Sequence, residues 1–290
     1  MRDCRIDFNI EDSERSIEHL LSCLAPAYDE ITRGGSFIVD LRSCQFLGPS
    51  AAVLLVGLKA LAENNGATAH FVPPRGPPPL LGFCWFSGLE HRLFGGRPPD
   101  AGHQECVTVP VDVFRKVNLG ATQAVFGLVR RFISIDEDST HALEACIFET
   151  LHNIGDHSNS TIGGLMCARF QKGRRDVRVA VLDHGVTIPG SVRNAGIRAQ
   201  DDAAAIKWAS IQGHTTRRGG TNLGQGLDTI GLLVGACGGA LQLFSGRAGL
   251  FKNGFAKRVV RATRAHLPGT LVSFRLRMRE GQLDERCEIA

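Results

Sequence analysis

The sequence predicts two structural units in tandem: a small N-terminal α/β unit with a strand-helix-strand core, and a larger α+β unit in which helices cover a sheet of hairpin-like strands. Three observations predict this. Between residues 36 and 72 a strand-length apolar run, a helix-length apolar run and a second strand follow one another. The turn formers Gly95-Gly96-Arg97-Pro98-Pro99-Asp100-Ala101-Gly102 then interrupt the chain. Beyond them, helical segments interleave with late strands. At 290 residues the chain exceeds the usual single-domain size. The expected division is therefore residues 1–95, a linker at 96–112 and residues 113–290, with one large domain as the alternative.

Taken in order, residues 36–41 (SFIVDL) have the β-branched and aromatic make-up of a buried strand, entered through Gly34-Gly35. After the turn at Gly48-Pro49-Ser50, residues 51–62 have helical composition, and Asn64-Asn65-Gly66 supplies an αL-tolerant stop. A second strand is expected at 68–72. Such a βαβ unit favours a parallel or mixed sheet covered by helices. Residues 73–79 are Pro-rich and extended, and 80–94 are apolar enough for a closing helix. Downstream, helices are expected at 121–133, 139–154, 201–211 and 226–236, the second with an acidic, capped start at Glu137-Asp138-Ser139. Strands are expected at 165–171, 177–182, 240–245, 257–263 and 270–278.

Composition narrows the function classes. Apolar residues make up 43% and charged residues 21%, an ordinary globular balance with no repeat period. No run approaches the roughly 18 to 20 apolar residues that span a bilayer, and MRDCRIDFNIEDSER lacks the basic-then-apolar order of a signal peptide, so a cytoplasmic protein without a membrane partner is expected. Nine cysteines without a C-x-x-C pair indicate reduced thiols rather than a zinc cage or disulfide framework. The net charge of +4 is too small to point to nucleic acid, although residues 245–278 carry eight Lys or Arg and no Asp or Glu. That stretch is either a solvated hairpin or a phosphate-attracting face.

Three segments carry residues suited to chemistry. In the helix at 142–154, Leu143, Ile147, Leu151 and Ile154 form a core stripe, while Glu149, Asn153 and His157 recur at i, i+4, i+8 on a second stripe. A polar stripe of this kind faces either water or a site. Next, a strand runs directly into Asp183-His184-Gly185-Val186-Thr187-Ile188-Pro189. A carboxylate at a strand end beside glycine is either a plain turn or an acceptor at the floor of a pocket, where an adenine amino group can donate to it. Third, the loop from Gly213 to Leu227 contains Arg217, Arg218, Gly219, Gly220, Gly224 and Gly226 and leads into a helix. Its glycines and the helix N-terminus suit an anion, but it is neither a Walker A loop nor a Rossmann fingerprint.

In order and spacing, ETLHNIGDH, DHGVTI, GQGL and Gly269-Thr270 resemble the N, G1 and G2 boxes and closing Gly-Thr of the GHKL family of ATP-binding domains, over about residues 113 to 279. The family includes gyrase, Hsp90, MutL, histidine kinases and anti-sigma-factor serine kinases. The resemblance implies a two-layer α/β sandwich binding ATP and Mg²⁺. In it Asn153 coordinates the metal, Glu149 is the general base, and Asp183 receives the adenine amino group beside Gly185. Gly224, Gly226 and Leu227, with Arg217 nearby, hold the phosphates, and Thr270 supports Asp183. Thr187, counted among the nucleotide-contacting residues, stands where the family usually has a second glycine.

Upstream, FIVDLRSCQFLGPSAAVLLVGLKAL and LLGFCWFSGLEHRLF resemble a STAS domain, the fold of anti-anti-sigma factors, over residues 1–95. Ser50 falls at the phosphoacceptor position, but Gly48-Pro49-Ser50-Ala51 replaces the usual Asp-Ser-Ser-Gly, so a plain helix cap is the other reading. Together the resemblances imply a regulatory protein: a serine kinase or ATP-dependent switch acting on a STAS-type or sigma-factor-like partner. The alternatives are an ATPase that homodimerises on ATP to gate a partner, and a scaffold that binds ATP without turnover.

Overall fold

The computed structural model describes residues 2–7, 9–98, 107–115, 119–133, 159–211 and 238–277, together with 141, 144, 147, 148, 150, 151, 214, 231, 232, 234 and 235. It is a mixed α/β structure with a three-stranded parallel sheet and a five-stranded antiparallel sheet.

The chain first forms β1 (Arg2–Arg5), then α1 (Glu14–Thr32). Ser13 starts this helix: its hydroxyl accepts the Ser16 N–H at 3.3 Å while the Ser16 hydroxyl accepts the Ser13 N–H at 3.1 Å, a reciprocal cap. Ile17, Leu20, Leu21, Leu24, Tyr28 and Ile31 make its buried face. The expected strand-helix-strand follows as β2 (Ser36–Asp40), α2 (Pro49–Asn64) and β3 (Thr68–Val72), and the strands pair in parallel in the order β1-β2-β3. The single helix expected at 80–94 is two, α3 (Pro78–Phe86) and α4 (Leu89–Phe94). They are separated at Gly88, whose φ of 77° lies in the left-handed region that glycine tolerates.

The second sheet comprises β4 (Thr108–Phe114), β5 (Gly164–Gln171), β6 (Asp176–Asp183), β7 (Ala240–Asn253) and β8 (Val259–Arg277), in the order β4-β5-β6-β8-β7. The strands expected at 257–263 and 270–278 are one strand. It passes Pro268-Gly269 because β7 absorbs the irregularity through register shifts around Gly246. Helices α5 (Leu119–Phe132), α6 (Ile188–Asn194) and α7 (Asp202–Ala209) accompany this sheet.

Strand periodicity then fixes the layers. Val177, Val179, Val181, Val272, Phe274 and Leu276 face one core with Val125, Leu128, Val129 and Phe132 of α5, and with Ile147 and Leu151 of the expected core stripe. Leu165, Cys167, Ala180, Leu182 and Leu271 face the other way, into a core shared with α1 and α2. Every residue of α2 from Pro49 to Leu58 is buried, because the helix packs against β3, α1 and α4 of the N-terminal unit and against β5 and β6 of the second sheet. One face of the five-stranded sheet is thus covered by α5 and the other by α1 and α2. Among the described residues, no helix is long and apolar enough to cross a membrane.

Candidate functional site

The site is built where β6 ends. Asp183 is the last residue of the strand and is 3% exposed, on the face of the sheet that carries α5. Its Oδ1 accepts the Gly185 N–H at 2.8 Å. Burial pushes the carboxyl up to about 7, against the smaller opposing pull of that N–H. Among the described residues the group is a buried carboxyl held by this backbone contact.

Thr187 has a different part from the glycine it replaces. It is the N-cap of α6, with φ of −66° and its hydroxyl accepting the Gly190 N–H at 3.0 Å. No left-handed conformation is needed there, so no glycine is required. Thr270 lies directly across the ladder from Asp183, as expected of a supporting residue, but its hydroxyl bonds to Ser245 Oγ at 2.9 Å.

Ser245 is a site residue that sequence reasoning missed. It is fully buried, accepts the Ile188 N–H at 2.9 Å and donates to Gly269 O at 3.0 Å. Its single proton is then committed to Gly269, so the Thr270 hydroxyl donates to it. One hydroxyl joins the Asp183 turn, the start of α6 and the 268–270 segment. Gly269, at φ +144°, lies so close to the Asp183 carbonyl that any Cβ would overlap it. The strand pattern places Ser245, Thr270 and Asp183 on one face, a signal available from alternation once the register is known.

His184 points to the opposite face. It is 8% exposed, its Nδ1 lies 2.8 Å from Pro268 O, and its ring packs 5.6 Å from that of Tyr28 on α1. Burial brings its pKa down to about 4.

Ser50 lies in the same inter-layer core. It is fully buried, its N–H donates to Asp12 Oδ1 at 2.8 Å, and its hydroxyl bonds to Ser273 Oγ of β8 at 2.9 Å. The Asp12 carboxyl stands at the α2 N-terminus, pushed above the ordinary carboxylate range by burial against the pull of Arg178 at 3.5 Å, whose Nε is paired with Asp176 at 2.9 Å. Two buried carboxylates hold Arg178 in its charged form. A phosphate on the fully buried Ser50 has no room between Ser273 and the Asp12 carboxyl, so the phosphoacceptor expectation requires the two layers to separate.

Glu149, Asn153, His157, Arg217, Arg218, Gly224, Gly226 and Leu227 lie outside the described residues. Of the residues expected at the ATP site, Asp183, Gly185, Thr187 and Thr270 are among those described. The metal and phosphate residues are not among those described. No cluster of three His, Cys, Asp or Glu suited to a metal occurs among the described residues. No family model and no curated protein sequence matches the chain.

Proposed function

We propose that the Asp183 turn is the adenine floor of an ATP-Mg²⁺ site of the GHKL type, and that the chain is an ATP-dependent regulator, a serine kinase or switch, acting on a STAS-type or other protein partner. The observation that carries this reading is the buried carboxyl of Asp183 at a strand end, beside Gly185 and braced through Ser245 and Thr270. In this proposal Asp183 accepts the adenine N6 amino group, Asn153 holds Mg²⁺, Glu149 is the general base and the loop to Gly226 receives the phosphates. The N-terminal unit is read as STAS-like.

One observation bears on where the phosphate goes. Ser50 is sealed between α2 and β8, which favours a partner in trans over transfer within the chain. The test is calorimetric titration with Mg-ATP followed by incubation with γ-labelled ATP and candidate STAS proteins. Asp183→Asn and Asn153→Ala are expected to abolish binding, and Glu149→Ala to keep binding while losing turnover. Wild-type protein that binds no ATP refutes the reading. Binding with hydrolysis and dimer formation, but no labelled partner, replaces the kinase version with the ATPase one.

A further inference from the structure

The two faces of the sheet meet at consecutive residues, Asp183 toward the proposed nucleotide and His184 toward the N-terminal layer. The chemistry of His184 is constrained. Pro268 O can only accept, so Nδ1 carries the proton and donates to it. In the neutral ring Nε2 is then an acceptor, and it is buried with no hydrogen-bond partner among the described residues. The Tyr28 hydroxyl, on the ring packed against it, is likewise buried without a partner among the described residues and has a proton to donate. The two groups are complementary in kind, donor and acceptor, on rings whose centroids are 5.6 Å apart. On the third side the ring is seated against Gly57 of α2. A Cβ added there would come within 3.0 Å of His184 Nε2 and 2.8 Å of Leu182 Cδ2.

We infer that His184 is a positioning residue through which the N-terminal layer controls the geometry of the Asp183 site, by holding the 183–185 turn and the 268–270 segment from behind. The inference rests on the proposed nucleotide reading for its ligand, but the mechanical link does not. His184 ties the turn to Pro268 on one face, and Ser245 ties Ile188 to Gly269 and Thr270 on the other. The turn and the strand segment beside it are thus pinned from both faces. Whatever moves α1 or α2 relative to the sheet moves His184, and the residue bonded to it in the chain is the acceptor Asp183. A partner that engages the N-terminal layer therefore acts on the site without entering it.

The experiment is a double-mutant cycle with two readouts in the full chain: Mg-ATP affinity, and amide hydrogen exchange of segments 183–188 and 268–270 without ligand. Gly57→Ala and His184→Ala are each expected to weaken ATP binding about five- to tenfold, the scale of one lost hydrogen bond, and to raise exchange in both segments. In the His184→Ala background, Gly57→Ala is expected to have a clearly smaller effect on both readouts, because the imidazole it displaces is gone and only the Leu182 Cδ2 contact remains. His184→Asn, which keeps a donor toward Pro268, is expected to recover most of the affinity. Should Gly57→Ala fail to fold, Tyr28→Leu, which removes the ring packed against His184, serves in its place, with the same direction expected. Additive effects in the cycle, or native affinity and exchange in Gly57→Ala, overturn the inference. A wild-type chain that ignores ATP while the exchange cycle is non-additive leaves the link standing and removes only the nucleotide.

Discussion

Asp183 and His184 make opposite demands on the proton, and the consequence is measurable. Burial raises the Asp183 carboxyl from 3.8 to about 7 and lowers the His184 imidazole from 6.5 to about 4. The native state binds the Asp183 proton more tightly than the unfolded chain does. Its stabilising contribution is therefore full below about pH 4 and is lost as pH rises toward 7. The native state binds the His184 proton less tightly, so its contribution is full above about 6.5 and is lost as pH falls toward 4. Between these limits the folded pair is carboxylic acid and neutral imidazole, whereas the unfolded pair is carboxylate and imidazolium. Both hold one proton, and the two slopes, worth on the order of 4 and 3 kcal/mol across the window, nearly cancel. Asp183→Asn keeps an acceptor for the Gly185 N–H and exposes the His184 slope: stability then falls on acidification by up to about 1.4 kcal/mol per pH unit relative to wild type. His184→Gln exposes the reverse slope, with stability falling as pH rises. Urea unfolding of the three proteins at several values between about pH 4 and 7 reads these differences, and slopes common to other carboxylates subtract. If both variants keep the wild-type slope, burial is not what sets protonation at this turn.

Three further outcomes are expected. Arg178→Met leaves the buried carboxylates of Asp12 and Asp176 without their cation and is expected to cost about 3–5 kcal/mol, measured by urea unfolding near neutral pH; a loss under about 1 kcal/mol refutes the pairing. Thr187→Ala removes the cap of α6 and is expected to cost about 1 kcal/mol, whereas Thr187→Gly costs only a few tenths; equal losses in both argue against capping. Ser245→Ala strands the Ile188 N–H and Gly269 O and is expected to lower stability by about 1–3 kcal/mol while increasing hydrogen exchange at Ile188; unchanged exchange there rejects its bracing part.

The strand-helix-strand of residues 36–72 and the strands flanking Asp183 were legible because short apolar runs bounded by glycine and asparagine have few other solutions. Helix α1 was missed although its signals are present, namely Ser13 and Ser16 at the start and buried residues at helical spacing from Ile17 to Ile31. Pro26 within it reads as a breaker in sequence. The cap at Thr187 was also legible in principle, since threonine followed by Pro189 opens many helices, but a glycine was expected at that position. Ser245, His184 and the Ser50 contact were not legible. Each depends on register or on packing between segments far apart in sequence, such as Ser50 and Ser273, which local pattern does not encode.

The all-round burial of α2 has a consequence for biosynthesis. Its second apolar side is completed by strands that leave the ribosome much later, and the Ser50 to Ser273 contact spans 223 positions. At about 5–20 residues per second, the nascent chain carries the uncovered stretch from Ala51 to Leu58 for roughly 6 to 25 s before β5 and β6, which end at Asp183, have been made. That stretch is the natural client segment for a chaperone, and such long-range closure makes the last docking step slow. Pausing or slowing synthesis between β3 and β5 lengthens the exposure, so yield of active chain should depend on elongation rate and on chaperone supply more than on the final stability of the fold.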